Sequence, residues 1–537
     1  MNLITSLKEN KVFLGLLMLI FFAYLWLAWQ PIESLLARFL VDDAFYYFKT
    51  AINLTSGLGP TFDGEHATNG YHPLWMGISA AVFYFFPGDK ILPLHIILTL
   101  SAILFFLTSV LIWKIISTFT NDKLAPSLLV LTYAINPWNL SFYLSGLETP
   151  LALFLFTVFF RIFLKILKGG DSPKNLILLG IIGGLLVLSR LDYGVFLAAV
   201  FIFLGFRFGK LRWKQLLFFG LPAFLLAAPW FLYNYFYFGS FVPASGLAYT
   251  LINHRLWFYK ERSLTYIGLW SLHNFFGTVA SNISTLGWPI YYSTRDMLKS
   301  FFWMAGTALI PSAIIFYFYK KKKMELGSFL KELFSSKEWL ALLVFFAGYF
   351  LLVAGHGAIR WSGRSWYFAT FPIFATIFIA LVLSRATLYS YRRKALVVLA
   401  VLLSVSYLGH FNKILSENIN QLGMYQVAIW TKNNLPADAR VAAFNSGIMG
   451  YFSDRFVMNS DGLINNSAYK AMKENKIWQL FQDNRIDYLV DYEVVLTYRY
   501  KSFFGIDDPI SRVTKIDTPE LIGARAYGGT FVNVYKL

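Results

Sequence analysis

Long apolar runs separated by short basic links dominate the chain. Val12 to Trp29 is almost wholly apolar and long enough to cross a bilayer, which takes roughly 20 residues. Comparable runs lie near 91–113, 124–143, 148–168, 175–190, 191–207, 215–236, 300–319, 338–354, 366–384 and 395–411. The pattern predicts a polytopic α-helical membrane protein with about eleven transmembrane helices. The strongly basic links are Arg161 to Lys174, Arg207 to Lys214, Lys320 to Lys337 and Arg385 to Lys394. Cytoplasmic loops are enriched in Lys and Arg, so placing all four links inside sets the threading. The N-terminus is then cytoplasmic, and the first apolar run reads as a retained anchor. Residues 412–537 lie outside, as do two loops at about 30–90 and 237–299. Pro73 to Phe86 is apolar but short. A crossing there would invert every later loop, so it reads as an interfacial or re-entrant helix.

The last segment has a different pattern. Arg440-Val441-Ala442-Ala443-Phe444 and Tyr488-Leu489-Val490 read as strands, with 468–484 as a helix between them. The expected organisation is a membrane domain over 1–411 and a small extracytoplasmic α/β domain over 412–537.

Composition sharpens this picture. With 57% hydrophobic and 14% charged residues and a mean hydropathy of +0.54, a soluble enzyme is excluded. A net charge of +18 would fit a nucleic-acid partner, but residues 412–537 hold fourteen Lys/Arg against thirteen Asp/Glu. The excess therefore sits in links between spans, where it reports topology and contact with the bilayer, with no nucleic acid implied. There is no cysteine, hence no disulfide framework and no thiolate metal site. Walker A, dinucleotide and zinc-helix motifs are absent.

The threading gathers the unusual polar groups at one face. Asp42 and Asp43 follow the first span within Phe39-Leu40-Val41-Asp42-Asp43-Ala44-Phe45. Adjacent carboxylates against an apolar, aromatic interface are costly to desolvate and tend to mark chemistry. His72, Glu148, Arg190, Asp192, His356, Arg360 and Arg364 fall on the same side. Outer-face cations run against the positive-inside bias and call for a bound anion. Each group also has a structural reading. Either Asp could cap the helix that follows, and Ser145-x-x-Glu148 matches a capping box. Arg190 and Asp192 could form a buried ion pair. Arg360 and Arg364, spaced i,i+4, suit either a substrate phosphate or lipid headgroups.

Asp42-Asp43-Ala44-Phe45, Asn69-Gly70-Tyr71-His72-Pro73-Leu74-Trp75, Ser145-Gly146-Leu147-Glu148-Thr149 and Ser189-Arg190-Leu191-Asp192 together resemble the GT-C class of integral-membrane glycosyltransferases. Within it they are similar to polyprenyl-phosphate-sugar-dependent enzymes of the mycobacterial arabinofuranosyltransferase type. The likeness extends to Gly447–Phe452 and Asn459–Leu463. It implies a plasma-membrane enzyme that passes a sugar from a polyprenyl-phosphate donor to a glycan or glycolipid hydroxyl outside the cell, with inversion. Asp42 would be the base and Asp43 its orienting partner, or the reverse. Arg360, Arg364 and Arg190 would meet the phosphate, and Tyr71, His72, Glu148, Asp192 and His356 would line the substrate site. The donor requires no metal, although two neighbouring carboxylates can hold a divalent cation. One departure stands out. Such enzymes carry a Lys after the Pro-x-Ser-Gly element, whereas Pro243-Ala244-Ser245-Gly246 continues Leu247-Ala248-Tyr249, leaving Lys260 or Arg262 to replace it. The competing reading is a lipid-linked glycan flippase or a solute transporter, which would show inverted repeats and mid-membrane charges.

Overall fold

A computed structural model of the chain describes residues 10–120, 124–208, 213–258, 326–358, 365–385, 407–408, 411, 419–518 and 532–537. Helix α1 (Lys11–Ala28) is followed by α2 (Ile32–Arg38), α3 (Asp42–Thr55) and α4 (Pro73–Phe85). The bundle continues with α5 (Leu92–Ser117), α6 (Leu124–Ala134), α7 (Pro137–Leu144), α8 (Thr149–Leu167) and α9 (Pro173–Ser189). Next come α10 (Gly194–Phe208), α11 (Trp213–Phe238), α12 (Ala244–Phe258), α13 (Leu326–Phe334), α14 (Lys337–Ala358) and α15 (Phe371–Arg385).

Six helices among the described residues are long and apolar enough to cross a membrane, making this a multi-pass membrane protein. The described residues do not confirm the expected count of eleven. The span expected at 124–143 is two short helices, because Pro137 cannot continue α6 and the Asn136 side chain caps the Trp138 amide at 3.0 Å. The run 175–190 is the shorter apolar α9. At its end Arg190 turns extended (φ −153°, ψ 110°), and a 3-10 turn over Leu191–Tyr193 leads into α10. The segment 300–319, and 395–411 apart from 407–408 and 411, lie outside the described residues. Pro73–Phe85 is a 13-residue helix packed along α3.

The C-terminal module opens with α16 (Ile419–Asn434), then β1 (Arg440–Ala443), α17 (Gly447–Phe452) and β2 (Phe456–Asn459). It closes with α18 (Asn466–Glu474), α19 (Ile477–Asp483), β3 (Tyr488–Tyr492), β4 (Thr514–Lys515) and β5 (Val532–Lys536). The sheet order is β2-β1-β3-β5-β4, parallel across β2, β1 and β3 and antiparallel beyond. The single helix expected over 468–484 is broken at Asn475, whose left-handed backbone (φ 57°) ends α18.

This module is seated on the front of the chain. Tyr451 donates its hydroxyl to the Lys90 carbonyl at 2.7 Å, while Lys90 reaches the Tyr451 carbonyl and pairs with Asp454. Arg440 grips Glu65 with both terminal nitrogens at 2.8 and 2.7 Å.

Candidate active site

Asp42 opens α3, whose cap position, Val41, has no side-chain acceptor. The Asp42 carboxylate instead accepts the Gly447 amide at 3.1 Å and the Ile448 amide at 2.7 Å, at the free N-terminus of α17. Asp42 does cap a helix, but one 405 residues further on. The approach is so close that a Cβ on Gly447 would overlap the Asp42 carbonyl oxygen. The next residue, Asp43, is rotated about a third of a turn and lines a cavity of about 300 Å³.

Glu148 forms the opposite wall. The capping box is not made: the Ser145 hydroxyl donates to the Phe142 carbonyl and accepts from Leu147. The Glu148 carboxylate is therefore left to accept from the Tyr47 hydroxyl (3.0 Å) and from Arg190 Nη1 (2.9 Å). Arg190 is wholly buried. Its Nε and Nη2 grip Asp192 at 3.0 Å each, and its Cζ lies 4.7 Å from the Tyr367 ring centroid. His356 Nε2 stands 3.2 Å from Asp192 Oδ2. His72 Nδ1 accepts the Leu191 amide at 3.3 Å. Its neutral ring thus carries the proton on Nε2, 3.8 Å from Glu148 Oε1. Burial holds His72 below its usual pKa.

The expected residues Asp43, Tyr71, His72, Glu148, Arg190, Asp192 and His356 thus share one cavity, which Asp42 does not line. Arg190 forms the buried ion pair with Asp192 that is its structural reading, and a second one with Glu148. Two edges of its guanidinium are occupied by carboxylates, so its charge is balanced within the protein. Arg360, Arg364, Lys260 and Arg262 lie outside the described residues. Pro243, Ser245 and Gly246 of the Pro-x-Ser-Gly element line the cavity. Buried Asn69 holds it there: its Oδ1 accepts from the Ala244 amide (3.0 Å) and Asn466 (3.1 Å), and its Nδ2 donates to Asn234 (3.1 Å).

The C-terminal module supplies a wall of the cavity with Asn445, Asp461, Leu463, Arg499 and Tyr500. Beside it, Gly70 packs so tightly on the Leu463 carbonyl that no larger residue fits. Asn445 is set by Asp491, a fully buried carboxylate that accepts the Phe444, Asn445 and Tyr492 amides and the Asn445 side chain at 2.8–3.0 Å. Burial pushes Asp461 up to about 7 despite the Leu463 amide on its Oδ1, and nearby Asp43 adds to the rise. Asp42 is likewise pushed up to about 7, chiefly by burial and further by Asp43, against the pull of its two amide donors. Among the described residues no cluster of three or more His, Asp or Glu is disposed to hold a metal.

No curated protein matches the chain by sequence. A family model described as Domain of unknown function (DUF8728) matches residues 414–535. Among solved structures, ArnT from Cupriavidus metallidurans bound to undecaprenyl phosphate superimposes with a TM-score of 0.56, at 11% identity over 98% of both chains. The archaeal oligosaccharyltransferase AglB from Archaeoglobus fulgidus, in complex with an inhibitory peptide and a dolichol-phosphate, superimposes with a TM-score of 0.51, at 14% identity over 92% of this chain and 71% of that one. Both are GT-C glycosyltransferases.

The chain has the GT-C fold. Within this GT-C frame, Asp461, Arg499 and Asn445 are among the cavity residues to which the sequence alone assigns no role. Asp461 carried a signal, standing in the Asn459–Leu463 motif before Gly462, whose positive φ of 74° makes the turn. Arg499 and Asn445 carried none.

Proposed function

We propose that this protein is a membrane glycosyltransferase that moves a sugar from a polyprenyl-phosphate donor to a hydroxyl of a glycan or lipid-linked glycan, at the extracytoplasmic face of the plasma membrane. The observation that carries the reading is the cavity in which Asp43 and Asp461 face the Glu148–Arg190–Asp192 array inside a GT-C frame. Supporting it, the similar folds of ArnT and AglB hold undecaprenyl phosphate and a dolichol-phosphate.

The reaction is a single displacement. The acceptor oxygen attacks the anomeric carbon through an oxocarbenium-like transition state, and its proton passes to Asp43 as general base. The carbon–oxygen bond to the phosphate breaks with its electron pair leaving on the phosphate, and the configuration inverts. Arg499, with Arg360 and Arg364, neutralises that charge. Asp461, held close to half-protonated at neutral pH, hydrogen-bonds a sugar or acceptor hydroxyl. The buried array makes a rigid wall of His72, Glu148 and Asp192, and Asp42 orients Asp43 by pinning the start of α3 to α17.

The test compares Asp43→Asn with Asp42→Asn in purified protein supplied with a polyprenyl-phosphate sugar. Asp43→Asn should lose at least about 100-fold in turnover, while Asp42→Asn keeps most of it. Full turnover by Asp43→Asn overturns the base assignment. Flux of lipid-linked glycan without sugar transfer in a parallel vesicle assay would replace the enzyme by a carrier.

A further inference from the structure

A second cavity, about 890 Å³, opens between α5, α8 and α9. Helix α5 begins beside Lys90, which touches the C-terminal module, and α8 begins beside Glu148. Both therefore run away from the active cavity. At 1.5 Å per residue, Lys114 lies about 33 Å along α5 and Arg161 about 18 Å along α8.

The two helices present matching stripes to this space. Leu107, Val110, Leu111 and then Lys114 follow each other at i, i+3, i+4 and i+7 on α5. Phe154 and Val158, then Arg161 and Lys165, at i, i+4, i+7 and i+11, share one face of α8 in the same way. Each stripe is apolar toward the middle of the bundle and cationic toward its far end. Lys168 is matched by Glu338 at 2.6 Å, and Lys165 donates to Asn175 at 3.1 Å. Among the described residues no carboxylate lies within ion-pair distance of Lys114 or Arg161. Loop-charge bias explains basic links between spans. It covers Arg161, which is exposed at the start of a basic link, but does not account for Lys114, half-buried in the last turn of α5, facing the same cavity. An apolar slot ending in two cations is the complement of an amphiphile with an anionic head.

We infer that this cavity binds an anionic membrane phospholipid, its phosphate between Lys114 and Arg161 and an acyl chain along Leu107, Val110, Leu111, Phe154 and Val158. The apolar wall selects a lipid over free phosphate, and the cations select an anionic head over a zwitterionic one.

Native mass spectrometry of the full-length protein, titrated with phosphatidylglycerol or phosphatidylcholine, tests this. Lys114→Gln/Arg161→Gln should weaken binding of one phosphatidylglycerol by about 30-fold, since each cation contributes a factor of about five. Arg207→Gln/Lys214→Gln, which removes the same charge outside the cavity, should leave that lipid in place, as should Lys114→Arg. If the double variant does not fold, Arg161→Gln alone should cost about five-fold. Equal binding by the cavity and control variants, or retention of phosphatidylcholine as tight as phosphatidylglycerol, overturns the proposal. Displacement of the lipid by inorganic phosphate also overturns it, reducing the site to an anion site.

Discussion

Replacing Arg190 by methionine keeps most of the side chain's length and removes its charge. The guanidinium is fully buried, the Glu148 side chain is 5% exposed and that of Asp192 21%. The substitution deletes three contacts of 2.9–3.0 Å and leaves two carboxylates without their shared cation. Removing one partner of a buried pair costs about 3–5 kcal/mol. Asp192 keeps some solvent and His356, which places Arg190→Met at the lower end, about 3 kcal/mol. The triple variant Arg190→Met/Glu148→Gln/Asp192→Asn removes the stranded charges and should recover more than half of that loss. The assay is SDS-driven unfolding in mixed micelles, followed by tryptophan fluorescence. Arg190→Met within about 1 kcal/mol of wild type would refute the claim that this array ties α8, α9 and α14 together. A triple variant no better than the single one would refute stranded charge as the cause.

Two further outcomes follow from the carboxylates around the module contact. Asp42→Ala removes both acceptors at the start of α17 and should cost about 1–2 kcal/mol, and Asp42→Asn less than half of that. Hydrogen exchange of the Gly447 and Ile448 amides reads the difference, and unchanged protection in Asp42→Ala would sink the capping assignment. For pH, Asp461 and Asp42 are raised to about 7 in the folded protein, above the ordinary carboxylate value near 4. Between about pH 4 and 7 the folded state binds more protons than the unfolded one, so stability falls as pH rises through that window and levels off above it. Each group contributes on the order of 4 kcal/mol across the interval. Asp461→Asn should flatten part of the slope in SDS-unfolding midpoints, and an unchanged profile would contradict the burial of that group.

The membrane architecture and most of the candidate site were readable along the chain because both are written in local terms. Apolar run length and loop charge mark helices, and charged residues at helix ends stand out against apolar surroundings. The misses are non-local or conformational. Asn136-Pro137 looks like part of one apolar run until the cap and the missing amide divide it. Asn475 breaks a helical stretch by its own left-handed backbone. Asp42 and Asp43 are identical in kind and adjacent, and only the arrival of α17 separates the one that caps from the one that lines the cavity. Arg190 looked like an anion receptor because its second carboxylate, Glu148, is 42 residues away. Arg499 and Asn445 have no local mark at all, since their importance comes from the fold of the C-terminal module.

That the cavity borrows a wall from residues 445–500 sets the order of events during synthesis. Asp43 is translated 457 positions before Tyr500. At about 5–20 residues per second, roughly 20–90 s pass between the two. Through that interval the nascent chain carries half of a reaction vessel. The remaining wall is supplied only once the C-terminal module has been made and has met Asp42 through the Gly447 and Ile448 amides.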